Sequence, residues 1–228
     1  KSSQEWNSLT NKEKETLVNF SDVQLAELSL IFIELQNNIT LREEDDWTEG
    51  MSIYHFNKKD YEEVYKKWIK YPVPINTDEG VSLGTMYSTG SLQLIYEPNT
   101  QTWPAGKLMG LASYANEDIV NEAPFFVEEK EDDIYISNNN IYPKVSWKSD
   151  FYSRACVAGI YQREQERASL MLANMTKKFT DSKNICVVGG SFLNCNSNEK
   201  ILNSGLFENC YFLPPSLEVK NNSFQKDL

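Results

Sequence analysis

The strongest constraint on the fold lies near the end of the chain. There NICVV (184–188) gives way to Gly189-Gly190, then to LNCNSNEKILNSG (193–205) and CYFLPP (210–215). The first run is wholly apolar and of strand length. Two glycines end it, the 193–205 segment reads as a helix closed by Gly205, and the last run reads as a strand stopped by Pro214 and Pro215. Upstream, 150–179 reads as one long helix ending in Lys177 and Lys178. A long helix followed by strand, turn, helix and strand is α/β layering. With 228 residues, 40% hydrophobic and 12% aromatic, the chain can bury a core as one large domain or two small ones.

Nearer the start, residues 1–40 carry two capping-box patterns, Thr10-x-x-Glu13 and Ser21-x-x-Gln24, and an apolar run from Val23 to Leu35; they read as helical. An acidic patch, Glu43 to Asp46, reads as a solvated loop. MSIYHF (51–56) has strand character. In YEEVYKKWIK (61–70), Tyr61, Val64, Tyr65, Trp68 and Ile69 share one helical face, which predicts a helix stopped by Pro72 and Pro74. A helix is expected over 81–98, turns over 103–116, and a strand at 132–137 before the Asn138–Asn140 turn.

Composition narrows the function. The balance of 22 basic and 33 acidic residues leaves a formal charge of −11, which argues against nucleic acid or an anionic membrane as partner. No apolar run has membrane-spanning length. Cys156, Cys186, Cys195 and Cys210 form no C-x-x-C pair and read as reduced, mostly buried thiols of a cytoplasmic protein. His55 is the only histidine, so a two-histidine metal site is excluded within this chain; its place in an apolar strand suggests a surface-facing or hydrogen-bonded ring.

Two stretches bear chemistry. A strand that feeds a helix through Gly189-Gly190 lets a ligand approach the backbone, and the helix start aims N–H groups and the positive dipole end at an anion. Taken alone, a glycine pair is more often an ordinary turn. In GKLMGLASY (106–114), Lys107 has the charge to meet a phosphate and Gly110 permits a close bend, although on spacing alone an exposed loop lysine is the better reading. No G-x-x-x-x-G-K-[ST] loop occurs anywhere.

The order of these stretches is more telling than any one of them. VSLGTMYS (81–88), GKLMGLASY (106–114), GGSFLNCNSNEKI (189–201) and GLFENCYFLPP (205–215) together resemble the N-terminal domain of the O-carbamoyltransferases. That family typically reads S-L-G-x-x-Y-S, then E-x-K-V-M-G-L-A-P-Y-G, then G-G-V-A-L-N-C with A-N-G-K-I following. Ser82, Leu83, Gly84, Tyr87 and Ser88 match the first motif. Lys107, Met109, Gly110, Leu111, Ala112 and Tyr114 match the second. Gly189, Gly190, Leu193, Asn194, Cys195, Asn198, Lys200 and Ile201 match the third. The resemblance runs from about Gly50 to Pro215 and divides the chain into 1–49 (helical and acidic, unmatched), 50–215 (a partial family domain) and 216–228 (an unmatched tail).

The resemblance implies an α/β fold of the actin/hexokinase-like, ribonuclease H-like nucleotide-binding type, here incomplete and with added N-terminal helices. It implies a cytoplasmic enzyme that uses ATP and carbamoyl phosphate, forms carbamoyl adenylate, and passes the carbamoyl group to a hydroxyl of a small-molecule acceptor. Lys107, Gly110, Gly189, Gly190 and Asn194 would hold the nucleotide; the catalytic residues are not assigned. A divalent metal, iron in the family, would sit beside the phosphates, held by histidines and aspartates. This chain departs from the pattern. It has no H-x-x-x-H segment upstream, REEDDWTEG (42–50) stands where a D-G-x-G hairpin is expected, and Ala105, Ser113 and Ala115 replace the second motif's Glu, Pro and Gly. The aspartate of the family's P-x-x-x-D-x-G step corresponds to Glu218, the one metal ligand the resemblance supplies. The chain is therefore expected to be a fragment that does not catalyse alone, with segment 11–36 covering exposed apolar surface or binding a complementing chain. The alternative is a non-catalytic nucleotide-binding or interaction module.

Overall fold

A computed structural model describes residues 47–57, 60–70, 82–95, 104–137 and 144–213. The helices expected over 1–40, the acidic patch, Pro72, Pro74, the 138–140 turn and Glu218 lie outside those residues.

The described residues form a mixed α/β structure. In chain order it contains β1 (Trp47–Asn57), β2 (Asp60–Lys70), α1 (Leu83–Leu94), α2 (Ala105–Ala112), α3 (Glu117–Glu122), β3 (Val127–Lys130), β4 (Asp133–Ile136), α4 (Phe151–Thr180), β5 (Asn184–Val187), a short 3₁₀ turn (Gly190–Leu193), α5 (Cys195–Asn203) and β6 (Asn209–Phe212). β1 pairs with β2 and β3 with β4, both antiparallel, while β5 and β6 run parallel with Ile185 opposite Cys210. A parallel pair needs a crossover connection, which the 3₁₀ turn and α5 provide.

The 30-residue α4 is the spine. Asp150 starts it: its carboxylate accepts from the Ser153 N–H at 2.9 Å, meeting one of the donors a helix start leaves free. At the far end Asp181 takes a left-handed conformation, φ 48°, while Lys177 and Lys178 stand against the negative end of the dipole. Small side chains along α4 let neighbours approach. At Gly159 an added Cβ would lie 2.5 Å from Ala115 Cβ and 2.8 Å from Val120 Cγ2. Conversely, Tyr161 lies over Gly90 of α1, where a Cβ would come within 2.9 Å of its ring. Leu83, Met86, Leu94, Leu108, Val127, Ile134, Ile160 and Met175 fill the core between α1, α2, β3, β4 and α4. Each such side chain contributes about 1.5–3 kcal/mol by leaving water.

The segment 61–70 is strand β2, not the predicted helix, and it forms a long hairpin with β1. Its apolar residues are not confined to one face: Tyr65 and Ile69 lie on the side of Ile53, Tyr61 and Trp68 on the side of Tyr54, so the helical spacing is coincidental, and a bulge divides the strand. Ile53 pairs with Tyr65 and Tyr54 with Glu63, so Val64 is an extra residue that resets the alternation of faces. Beyond it, Tyr65 and Lys67 share a face and both reach Asp133 of β4. The Tyr65 hydroxyl donates to Oδ1 at 2.5 Å, and Lys67 Nζ donates to both carboxylate oxygens at 2.9 and 3.0 Å. Burial, reinforced by the Asp133 bond, pushes the Tyr65 hydroxyl well above its ordinary range, so it stays a donor.

The segment 103–116 corrects a second expectation. Instead of turns it contains helix α2, with Leu108 fully buried in the core and Gly106, Lys107 and Gly110 on the exposed side. The two glycines misled because each costs a helix about 1 kcal/mol; here burial of Leu108 overrides that preference. Helix α3 and strand β3 were not foreseen, being only 6 and 4 residues long.

Candidate functional site

The three sequence motifs meet at one junction beside α4. The first supplies the start of α1, where Ser82 Oγ accepts from the Thr85 N–H at 3.1 Å. Next to it, a Cβ on Gly84 would lie 3.2 Å from Ser191 Oγ, so the glycine-rich loop rests against this helix start. From the second motif, Met109 Sδ lies 3.9 Å from Cys195 Sγ of the third.

The loop itself follows from local chemistry. Gly189 has φ 109° and ψ 162°, a conformation that side chains disfavour. The 3₁₀ turn then closes with the Phe192 N–H donating to the Gly189 carbonyl at 3.0 Å. Asn194 ends that turn and caps α5, its Oδ1 accepting from the Ser197 N–H at 3.2 Å. One turn into α5, Asn198 Nδ2 reaches back to the Phe192 carbonyl at 2.8 Å. Ser197 Oγ and Asn198 Oδ1 are buried with no hydrogen-bond partner among the described residues.

Beneath the loop lies a polar network. Gln162 of α4 donates through Nε2 to Asn194 Oδ1 at 3.0 Å and accepts through Oε1 from Asn194 Nδ2 at 2.9 Å. Tyr87, from the first motif, donates its hydroxyl to the same Oε1 at 2.6 Å. The second Nε2 hydrogen goes to Glu166 Oε1 at 2.8 Å, and Lys200 of α5 lies 3.9 Å from the other Glu166 oxygen. Burial raises the Tyr87 hydroxyl above its ordinary value, so it remains a protonated donor.

Electrostatics at the junction favour an anion. The chain carries −11 overall, yet the first turns of α1, of the 3₁₀ turn and of α5 contain no acidic side chain. Helix α3, by contrast, has Glu117 and Asp118 in its first turn, and α4 is capped by Asp150. The positive ends of the helices at the loop thus carry no carboxylate of their own; the carboxylate of the network is that of Glu166 on α4, faced by Lys200. A Cβ added at Gly189, Gly190, Gly106 or Gly110 would meet nothing within 4 Å among the described residues, which leave the surface above these glycines open.

Of the residues singled out in the sequence, Gly189 and Gly190 form the turn, and Lys107 and Gly110 lie on the exposed side of α2. Asn194 is buried, and its side-chain oxygen already accepts two hydrogen bonds. Glu218 lies outside the described residues. The sequence reading missed Gln162 and Glu166; they lie in QREQER (162–167), six consecutive polar residues, and nothing in that run singles them out. His55 is on β1, opposite Glu62 in the hairpin. The cysteines divide: Cys156 is buried, Cys186 and Cys210 are half-buried, and Cys195 is exposed, against the expectation of mostly buried thiols. Burial pushes the Cys186 thiol up to about 11.

Among the described residues no three His, Cys, Asp or Glu side chains come together in a way that would hold a metal ion. These residues therefore do not by themselves fit the divalent metal that the sequence resemblance implies. No helix among them is long and apolar enough to cross a membrane.

Residues 30–218 match the family model described as the carbamoyltransferase N-terminus. Comparison with curated proteins returns no match.

Proposed function

The chain belongs to the carbamoyltransferase family, and from that premise we propose that the Gly189–Asn194 loop holds the phosphates and adenosine of ATP in the family's carbamoyl transfer. The carrying observation is the loop's setting: a positive-φ glycine with open space above it, between helix starts free of acidic side chains. Backbone N–H groups there face an anion without the energetic cost of displacing a carboxylate. Lys107, on the exposed side of the neighbouring α2, adds a cation for the phosphates. Gly110, one turn further along, keeps that side low enough for a ligand to approach. The nucleotide-binding fold of the actin/hexokinase type belongs to the same proposal.

In this reading water cleaves carbamoyl phosphate to carbamate and phosphate; a carbamate oxygen then bonds to the α-phosphorus of ATP as the bond to pyrophosphate breaks, giving carbamoyl adenylate. An acceptor hydroxyl then attacks the carbamoyl carbon; the new C–O bond forms as the bond to AMP breaks, and the hydroxyl proton leaves. The part assigned to the described residues is binding and orientation of the nucleotide. The test is pyrophosphate release from ATP by the full chain. For the chain alone the expected result is ATP binding without release; release that requires carbamoyl phosphate contradicts the expectation that it does not catalyse alone. Release restored by a complementing chain separates the family reaction from the alternative, a nucleotide-binding module without turnover. One observation favours it: the single histidine stands in the β1–β2 hairpin, opposite Glu62, and not in the network at the loop.

A further inference from the structure

We propose that Gln162 is the positioning residue of the site: it fixes the Gly189–Asn194 loop from below, through Asn194, without touching the ligand. All four hydrogen-bonding positions of its amide are filled, two accepted at Oε1 from Tyr87 and Asn194 and two donated from Nε2 to Asn194 and Glu166. A buried amide with no capacity left is a rigid fixture.

The polarity of the network is forced from its ends. The Ser197 N–H can only donate, so Asn194 must turn Oδ1 toward it, which leaves Nδ2 for Gln162 Oε1. At the other end Glu166 accepts and the Tyr87 hydroxyl donates, which places Nε2 and Oε1 of Gln162 in the same sense. A glutamate at 162 lacks the donor, and a leucine lacks both functions. Thus one side chain ties the first motif, through Tyr87, to the third, through Asn194, and sets both the loop and the start of α5. The motif residues occupy separate stretches of sequence; Gln162 is where they are joined.

The ligand in this inference is the nucleotide of the reading above, on which that part rests; the positioning itself does not depend on it. Two measurements on the full chain separate them. Amide hydrogen exchange in Gln162→Leu is expected to speed up at Ser197 and across 189–194, while amides of the β3–β4 hairpin keep their protection. ATP affinity by calorimetry is expected to fall at least about tenfold in Gln162→Leu and about threefold in Tyr87→Phe, which removes a single hydrogen bond. Tyr87→Phe also serves if the leucine variant does not fold, since it is expected to show the same local exchange pattern more weakly. If wild-type chain binds no ATP, the nucleotide reading fails, and the exchange data alone decide. Unchanged exchange at Ser197 and the loop in folded variants overturns the proposal, as does exchange that rises equally everywhere.

Discussion

Gln162 and Glu164 stand two residues apart on α4, and at 100° per residue they point to nearly opposite sides of the helix. Both are buried and both are saturated with hydrogen bonds, yet they serve different ends. Gln162 is neutral and joins the helix to the glycine loop. Glu164 is charged and joins it to the scaffold: Oε2 accepts from the Phe126 and Val127 N–H groups at 3.1 and 2.9 Å and from Arg167 at 2.8 Å, while Oε1 accepts from Arg163 at 2.8 Å. Arg163 continues to the Ala123 and Pro124 carbonyls, and Phe125 lies against both guanidinium groups. The difference teaches where charge is tolerated. A closed ion cluster suits a static joint; beneath the loop the carboxylate is that of Glu166, which accepts from Gln162 and faces Lys200, and the neutral amide stands between it and Asn194.

The largest expected effect comes from the scaffold side. Glu164→Ala strands two arginines and two backbone donors and is expected to destabilise the protein by about 3–5 kcal/mol in urea unfolding. A loss under 1 kcal/mol would erase the distinction between the two faces. Next, Gly159→Ala is expected to cost about 1–2 kcal/mol, because overlap with Ala115 and Val120 outweighs the gain in helix propensity. Gly110→Ala reverses the sign. With nothing near its Cβ, it is expected to stabilise by about 0.5–1 kcal/mol while weakening ATP binding, since the added methyl stands on the open side. Greater stability with unchanged affinity would remove Gly110 from the site. The smallest effect belongs to Asp150, whose carboxyl is held below its ordinary value by the Ser153 backbone and hydroxyl. A depressed carboxylate stabilises above its unfolded pKa and loses that contribution as pH falls through the folded one. The difference in urea midpoint between wild type and Asp150→Ala is therefore expected to be present at pH 7 and to shrink toward pH 3.

Much of this was legible in the sequence where local and tertiary preferences agree. The strand at 184–187 followed from an apolar run ended by a glycine pair, and the helix at 195–203 and the long α4 stand near the bounds expected for them. Legibility failed where tertiary structure overrode the local pattern. Apolar residues on both faces of β2 mimicked a helical spacing, and burial of Leu108 made a helix of the glycine-bearing 105–112 segment. The order of three motifs pointed to the loop, and Gly189 did turn out to need a conformation few residues accept. What could not be read was the joint beneath it. Gln162 lies 75 residues from Tyr87 and 32 from Asn194, separations over which a single sequence carries no pairing signal.

The central claim, that the glycine loop is the nucleotide site, is tested most directly at Gly190. Its φ is not positive and a Cβ there meets nothing within 4 Å among the described residues, so Gly190→Phe is expected to fill the open surface without disturbing the fold. ATP titration calorimetry on the full chain, with thermal unfolding as control, is expected to show binding to wild type and none to Gly190→Phe at an unchanged melting temperature. Equal affinity in the two proteins, or no ATP binding by the wild-type chain, would contradict the assignment.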